Sequence, residues 1–254
     1  MMDRFVLFLI FLLMPFFAAN AGGITQQMAS DLFHICDRPY GDKPAPLKDT
    51  NRNVLIHRPN HGLAHAMRQR YLVHDVLDVI IRGKSRLTDF VERKIETDRL
   101  FVRKLEVAAA FQRVGRESEA GSDQRELYRR YMQNSRRLFL EYFPRYFHGE
   151  RDSELYSNAI THSSAGGNSD FVKRILDSVH LLDLVRMGGG VNRHSIVDRI
   201  HELLEIPREH ALGLLGISDT YSRATGQGNH GDHGLFVRLS QNPKELVAAL
   251  DRAR

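Results

Sequence analysis

Three short segments of this 254-residue chain carry side chains whose types and spacing suit chemistry on a phosphate. The first, RPNHGLAHAMRQRYLVHDV from Arg58 to Val76, has histidines at 61, 65 and 74. In a helix begun at Asn60, His61 and His65 lie one turn apart on a face that Arg68 and Leu72 continue. They would also sit at the helix N-terminus, where free N–H groups and the dipole favour an anion, with Arg58 just ahead of them.

The second segment is FQRVGRESEAG, in which Arg116, Glu117 and Glu119 directly follow a strongly apolar helical pattern. The third is FVKRILDSVHLLDLVRMGGG, where His180 is set among Val179, Leu181 and Leu182, and Asp183 and Arg186 follow at helix-face spacings. A phosphodiester resists attack because its own charge repels a nucleophile. An enzyme working without metal therefore needs cations, a histidine nucleophile or base, and a proton donor for the leaving oxygen. The three segments supply those residue types.

A metal-dependent HD-type phosphohydrolase acting on nucleotides is the competing reading, because His74 and Asp75 form a His-Asp doublet. Asp75 falls near the His61 face, but fourteen residues on it lies roughly 21 Å along a straight helix axis, too far for one shared metal. His230 and His233 in GNHGDHG could also bind metal, although glycine-rich histidine loops are more often flexible or substrate-adjacent. Cysteine-rich metal sites are excluded because Cys36 is the only cysteine.

These residues must be held by helices. Helical patterns cover Thr25–Asp37, Asn60–Ile81, Thr88–Val114, Gln124–Phe143, Ser153–Ser163, Phe171–Met187, Ser195–Glu205, Glu209–Ala224 and Pro243–Arg254. The stretch RPYGDKPAPLKD breaks regular structure with its prolines, and GLFVRLS is the one expected strand. The fold class is mainly α, a single-domain helical bundle with little or no β.

Residues 1–21 read as a secretory signal, with Arg4, an apolar run from Phe5 to Phe17 and an Ala19-Asn20-Ala21 cleavage site, which leaves 22–254 as one domain. The run is shorter than the roughly 20 residues a spanning helix needs, so no stable membrane anchor is expected after its removal. Export places the chain in the periplasm, outside the cell, or in a host cell. The net charge of +5 comes mostly from arginine, which suits a phosphate-bearing partner. No dense basic run with interleaved aromatics supports nucleic-acid binding.

The motif RPNHGLAHAMR resembles the histidine signature of SidE-type phosphodiesterase domains of bacterial effectors. GRESE and VHLLDLVR follow in matching order and spacing, so the likeness covers most of the chain beyond residue 21. The resemblance implies a mainly α-helical domain that needs no metal or other cofactor and processes phosphoribosyl-linked ubiquitin. It implies His61 as the nucleophile, His180 as the acid–base partner, and Glu119 as the orienting or proton-handling carboxylate, with Glu117 its rival. His65, Arg58, Arg116 and Arg186 would contact substrate. The chain looks like the stand-alone members, which remove phosphoribosyl-ubiquitin from substrate serines, since it has no room for a partner ADP-ribosyltransferase. Another phosphodiester substrate, or a non-catalytic module binding ubiquitin or phosphate, are the alternatives. If the reading holds, His61, His180 and one of the two glutamates converge within about 8 Å, with Arg116 or Arg186 nearby and His74 outside.

Overall fold

The computed structural model describes residues 23–36, 47–49, 54–56, 61–117, 125–161, 168–190, 192–228 and 231–254. The leader at 1–21, Arg58, Asn60, Glu119 and His230 lie outside them. Among the described residues the architecture is mainly α, and no helix is long and apolar enough to cross a membrane.

Helix α1 spans residues 23–36 and buries Met28, Leu32 and Ile35. A two-stranded antiparallel hairpin follows, β1 (Leu47–Asp49) against β2 (Val54–Ile56), with Leu47 opposite Ile56. Its first strand falls within the stretch expected to be irregular; three paired positions are too few to leave an alternation signal.

Helix α2 (Leu63–Gly83) is the axis of the domain, buried without interruption from Leu63 to Val73. A helix enclosed all round belongs to the core, yet this one carries His65, Arg68, Gln69 and Arg70 inside. Buried polar groups need partners, and burying an unpaired one costs several kcal/mol. The helices around α2 must therefore bring polar groups of their own. Helix α2 starts later than expected: Gly62 is its cap, and His61 sits in the turn before it.

The stretch from Thr88 to Val114, expected as one helix, is two: α3 (Arg86–Thr97) and α4 (Phe101–Phe111). The Asp98 carboxylate breaks it by accepting from Leu100 N at 2.9 Å and binding Lys104 Nζ at 3.0 Å. Helix α5 (Arg125–Tyr146) runs past Pro144, where it was expected to stop. The lost backbone donor lies in the last turn, and Phe139, Phe143 and Phe147 pack there with ring centroids 5.3 and 4.9 Å apart.

Helices α6 (Ser153–Ile160) and α7 (Asn168–Asp183) follow, and a 3-10 turn over Leu184–Gly190 continues the latter. Helices α8 (Arg193–Leu204) and α9 (Arg208–Ala224) complete the wall. The expected strand GLFVRLS is instead helix α10 (His233–Ser240). Asp232 caps it by accepting from Leu235 N, and Phe236, Val237 and Leu239 are buried while Arg238 faces out. A short apolar run of this kind has no period that separates strand from helix, and the cap decides. Helix α11 (Pro243–Ala253) closes the domain, with Asn242 as its cap and Pro243 in the first turn.

Candidate active site

Helices α2 and α7 pack directly against each other, and their facing polar residues form one buried network. At its centre is Asp183, the last residue of α7, which is fully buried. Its Oδ2 meets His65 Nδ1 at 2.5 Å and accepts from Arg186 Nη1 at 2.6 Å, while Oδ1 accepts from Arg68 Nε at 2.6 Å. Arg68 Nη1 also donates to Thr225 Oγ1 at 2.8 Å, which fastens the end of α9 to the cluster. Arg186 Nη1 donates again to the Asp183 carbonyl at 2.7 Å.

Burial alone would raise the Asp183 pKa, but Arg68, Arg186 and His65 outweigh it and hold the carboxyl well below its usual range. Asp183 is therefore ionised, and one carboxylate faces two guanidinium groups. Among the described residues of the cluster the guanidinium groups outnumber the carboxylate, an arrangement that suits an anion.

His65 is neutral in this setting. Burial pulls its pKa down to about 3 against the opposing pull of Asp183. An ionised carboxylate can only accept, so His65 Nδ1 carries the proton and Nε2 keeps its lone pair. That Nε2 is buried and has no hydrogen-bond partner among the described residues.

The two other histidines stand on either side of His65. The His61 ring contacts it edge-on at 5.2 Å between centroids, and the His180 ring does so at 5.7 Å. Both outer rings are half-buried, so they remain accessible where His65 is not. His180 is also held well below its ordinary pKa, first by burial and then by Arg113, His65, His61 and Arg186. Its Nδ1 lies 3.0 Å from Gln69 Nε2.

The chain thus brings His61, His65, His180 and Arg186 together through α2, the turn before it, α7 and the 3-10 turn. For other residues singled out in the sequence the structure gives the local contacts. Arg116 is buried over the Tyr131 ring, its Cζ 5.2 Å from the centroid. Glu117 is exposed and tied to α5, accepting from Asn134 Nδ2 at 2.8 Å and pairing with Arg130 at 2.9 Å. The turn that carries it hangs on Gly115, whose N–H donates to Ser135 Oγ at 2.9 Å.

The His-Asp doublet is committed to other partners. His74 bonds Glu106 on α4, which Arg70 also pairs with at 3.2 Å, and Asp75 accepts from the Tyr221 hydroxyl at 3.0 Å. No group of three or more His, Cys, Asp or Glu side chains among the described residues is arranged to hold a metal ion. His233 opens α10.

Sequence reasoning did not assign roles to Asp183, Arg68, Gln69 or Arg113. A signal existed for the first three. Arg68 and Gln69 stand three and four places after His65 on the same side of the helix, and Asp183 lies three from both His180 and Arg186.

The comparisons fit this geometry. The SidE phosphodiesterase (PDE) domain family matches residues 39–230, a range that contains all three histidines and Asp183. Two curated proteins of Legionella pneumophila, strain Philadelphia 1, the ubiquitinating enzyme SidE and the ubiquitinating/deubiquitinating enzyme SdeA, are each 28% identical to the chain over 147 residues. The alignments take in 52% of this chain and 10% of each relative, so the chain matches about a tenth of their length. Among solved structures, the C-terminal domain of lpg1496 from Legionella pneumophila in complex with nucleotide superposes with a TM-score of 0.68 at 17% identity, covering 93% of this chain and 97% of that one. That likeness establishes the fold, and the family match adds the chemistry: the chain belongs to the SidE phosphodiesterase domain family and is a hydrolase of the phosphodiesterase type.

Proposed function

We propose that the chain cleaves phosphoribosyl-linked ubiquitin from substrate serines without a metal. The observation that carries this reading is the buried Asp183 network, which holds Arg68, Arg186 and His65, with the His61 and His180 rings packed against His65. His61 attacks phosphorus, the serine oxygen leaves with a proton from His180, and water then releases the group from His61. Arg186 balances the charge of the transition state. Glu117 or Glu119 handles a proton or orients a histidine, and His65, Arg58 and Arg116 make supporting contacts. The names of SidE and SdeA, which connect them with ubiquitin, support the substrate class. The leader at 1–21 makes export the route we propose, with a host cell as the place where ubiquitin is met; the intact mass of exported protein reads its removal.

The test is incubation with a serine-linked phosphoribosyl-ubiquitin conjugate in chelator. Release of phosphoribosyl-ubiquitin and free serine is the expected result. Turnover of small phosphodiesters without release would refute the substrate, activity that appears only with added metal would refute the mechanism, and binding without turnover would leave a recognition module.

A further inference from the structure

One buried contact in the site is unfinished. Gln69 Nε2 lies 3.0 Å from His180 Nδ1, and an amide nitrogen can only donate. His180 Nδ1 must therefore accept, which leaves the ring neutral with its proton on Nε2. The other end of the same amide, Gln69 Oε1, is buried without a hydrogen-bond partner among the described residues. Gln69 itself is fully enclosed on α2, so no bulk water satisfies that oxygen.

This arrangement cannot by itself transfer a proton. A neutral imidazole that gives up its Nε2 proton becomes an anion, so acid–base work at Nε2 needs a proton kept on Nδ1 and an acceptor for it. We propose that Gln69 is the positioning residue that arms His180: a half-turn of its amide replaces Nε2 by Oε1 against Nδ1. The orphaned oxygen then accepts from Nδ1–H, and Nε2 becomes the nitrogen that exchanges protons with the reacting oxygens.

The inference rests on the acid–base role given to His180 above. In the first half-reaction the His61–phosphorus bond forms and the phosphorus–serine oxygen bond breaks. The Nε2 proton of cationic His180 goes to that oxygen, leaving neutral His180 with Nδ1–H held by Gln69. In the second half-reaction water attacks phosphorus, its proton passes to His180 Nε2, and the bond to His61 breaks. Among the described residues the titratable and charged groups facing His180 are Arg113 from the turn after α4, His65 of α2, His61 before it, and Arg186 of the 3-10 turn. All four oppose a cation, as does burial, so a neutral acceptor on Nδ1 and the incoming phosphodiester anion are what favour it.

The experiment is ring-nitrogen NMR of histidine-labelled wild type, Gln69→Glu and Gln69→Leu, read beside the kcat–pH profile on a serine-linked phosphoribosyl-ubiquitin conjugate. Wild type without substrate should show His180 unprotonated at Nδ1. In Gln69→Glu the carboxylate can only accept, so the proton moves to Nδ1 and the His180 midpoint rises by about one pH unit or more. In Gln69→Leu, kcat should fall about 10- to 100-fold, a usual cost of losing the partner that orients a functional histidine, with KM within about threefold. Identical His180 nitrogen shifts and midpoints in all three proteins would overturn the proposal. If the shifts move as stated but the kcat–pH profile does not follow, Gln69 still controls His180 and the acid–base role of His180 is what fails. Should Gln69→Leu not fold, the Gln69→Glu shifts alone decide.

Discussion

Replacing Asp183 by asparagine keeps the shape of the site's central residue and removes its charge. Arg68 and Asp183 are both fully buried and Arg186 nearly so, so the charges left behind have no solvent to relax into. The new amide also turns an N–H₂ group toward at least one of three donors. Removing one partner of a buried ion pair costs about 3–5 kcal/mol. For a domain of this size each kcal/mol moves Tm by about 2–4 °C, so Asp183→Asn should lower Tm by about 6–20 °C. The control is Asp219→Asn. That carboxylate pairs with Arg193 in a two-bonded contact, but both side chains are about one-third exposed or more, at 32% and 43%, and a surface pair contributes roughly 0–1 kcal/mol. Activity should separate the two as well, with kcat lower by about 10- to 100-fold in Asp183→Asn only, because His65 loses the acceptor that fixes its tautomer. Thermal unfolding and turnover on one preparation of each variant give both numbers. Equal Tm shifts for the two, with kcat unchanged, would mean that the Asp183 charge holds neither the buried arginines nor His65.

The depressed histidines predict a direction for acid. His65 and His180 bind a proton in the unfolded chain near the ordinary histidine value but refuse it when folded, so their contribution is present above about pH 6.5 and is lost as pH falls toward their folded values. Urea unfolding between pH 7 and pH 4 should show stability falling by up to about 1.4 kcal/mol per pH unit for each histidine, and His65→Gln should flatten the slope. Gly115→Ala puts a Cβ against the backbone of Ser135 and Asn134, which cannot move aside as a side chain tip would. It should cost about 1–3 kcal/mol in chemical denaturation and lower activity by displacing the Glu117 turn. Lys104 is enclosed and paired with Asp98, Glu150 and Asp152 at 3.0, 2.7 and 3.0 Å. Lys104→Met should lower Tm while leaving KM unchanged, because those contacts clamp α4 to the segment before α6, away from the histidines.

Much of the histidine helix was legible in the sequence because its signals are local. The four-residue interval from His61 to His65, the basic neighbours and the apolar remainder all fall within three turns. His61 proved to stand in the turn before α2, since Gly62 begins the helix there. The partners of that helix were not legible, because the contact of His65 with Asp183 joins positions 118 apart, and spacing along the chain says nothing of which distant helix packs alongside. Gln69 failed for a related reason: a glutamine in a helix reads as surface until the neighbours that bury it are known. Local rules also failed where packing overrode them, at Pro144 inside α5, and where a cap decided an ambiguous apolar run, at Asp232 before α10. The HD reading arose from the His74-Asp75 doublet and the crowded histidines, but side chains adjacent on a helix point in different directions, so His74 went to Glu106 and Asp75 to Tyr221.

In the proposed reaction His61 forms a bond to phosphorus, and the other groups serve this step. Rapid quenching in alkali during turnover of a serine-linked phosphoribosyl-ubiquitin conjugate, followed by mapping of the modified peptide by mass spectrometry, tests it most directly. An alkali-stable, acid-labile phosphoramidate on His61, absent from His61→Ala and accumulating when His180→Ala slows its hydrolysis, is the predicted result. Full turnover by His61→Ala, or the adduct on another residue, would contradict the account.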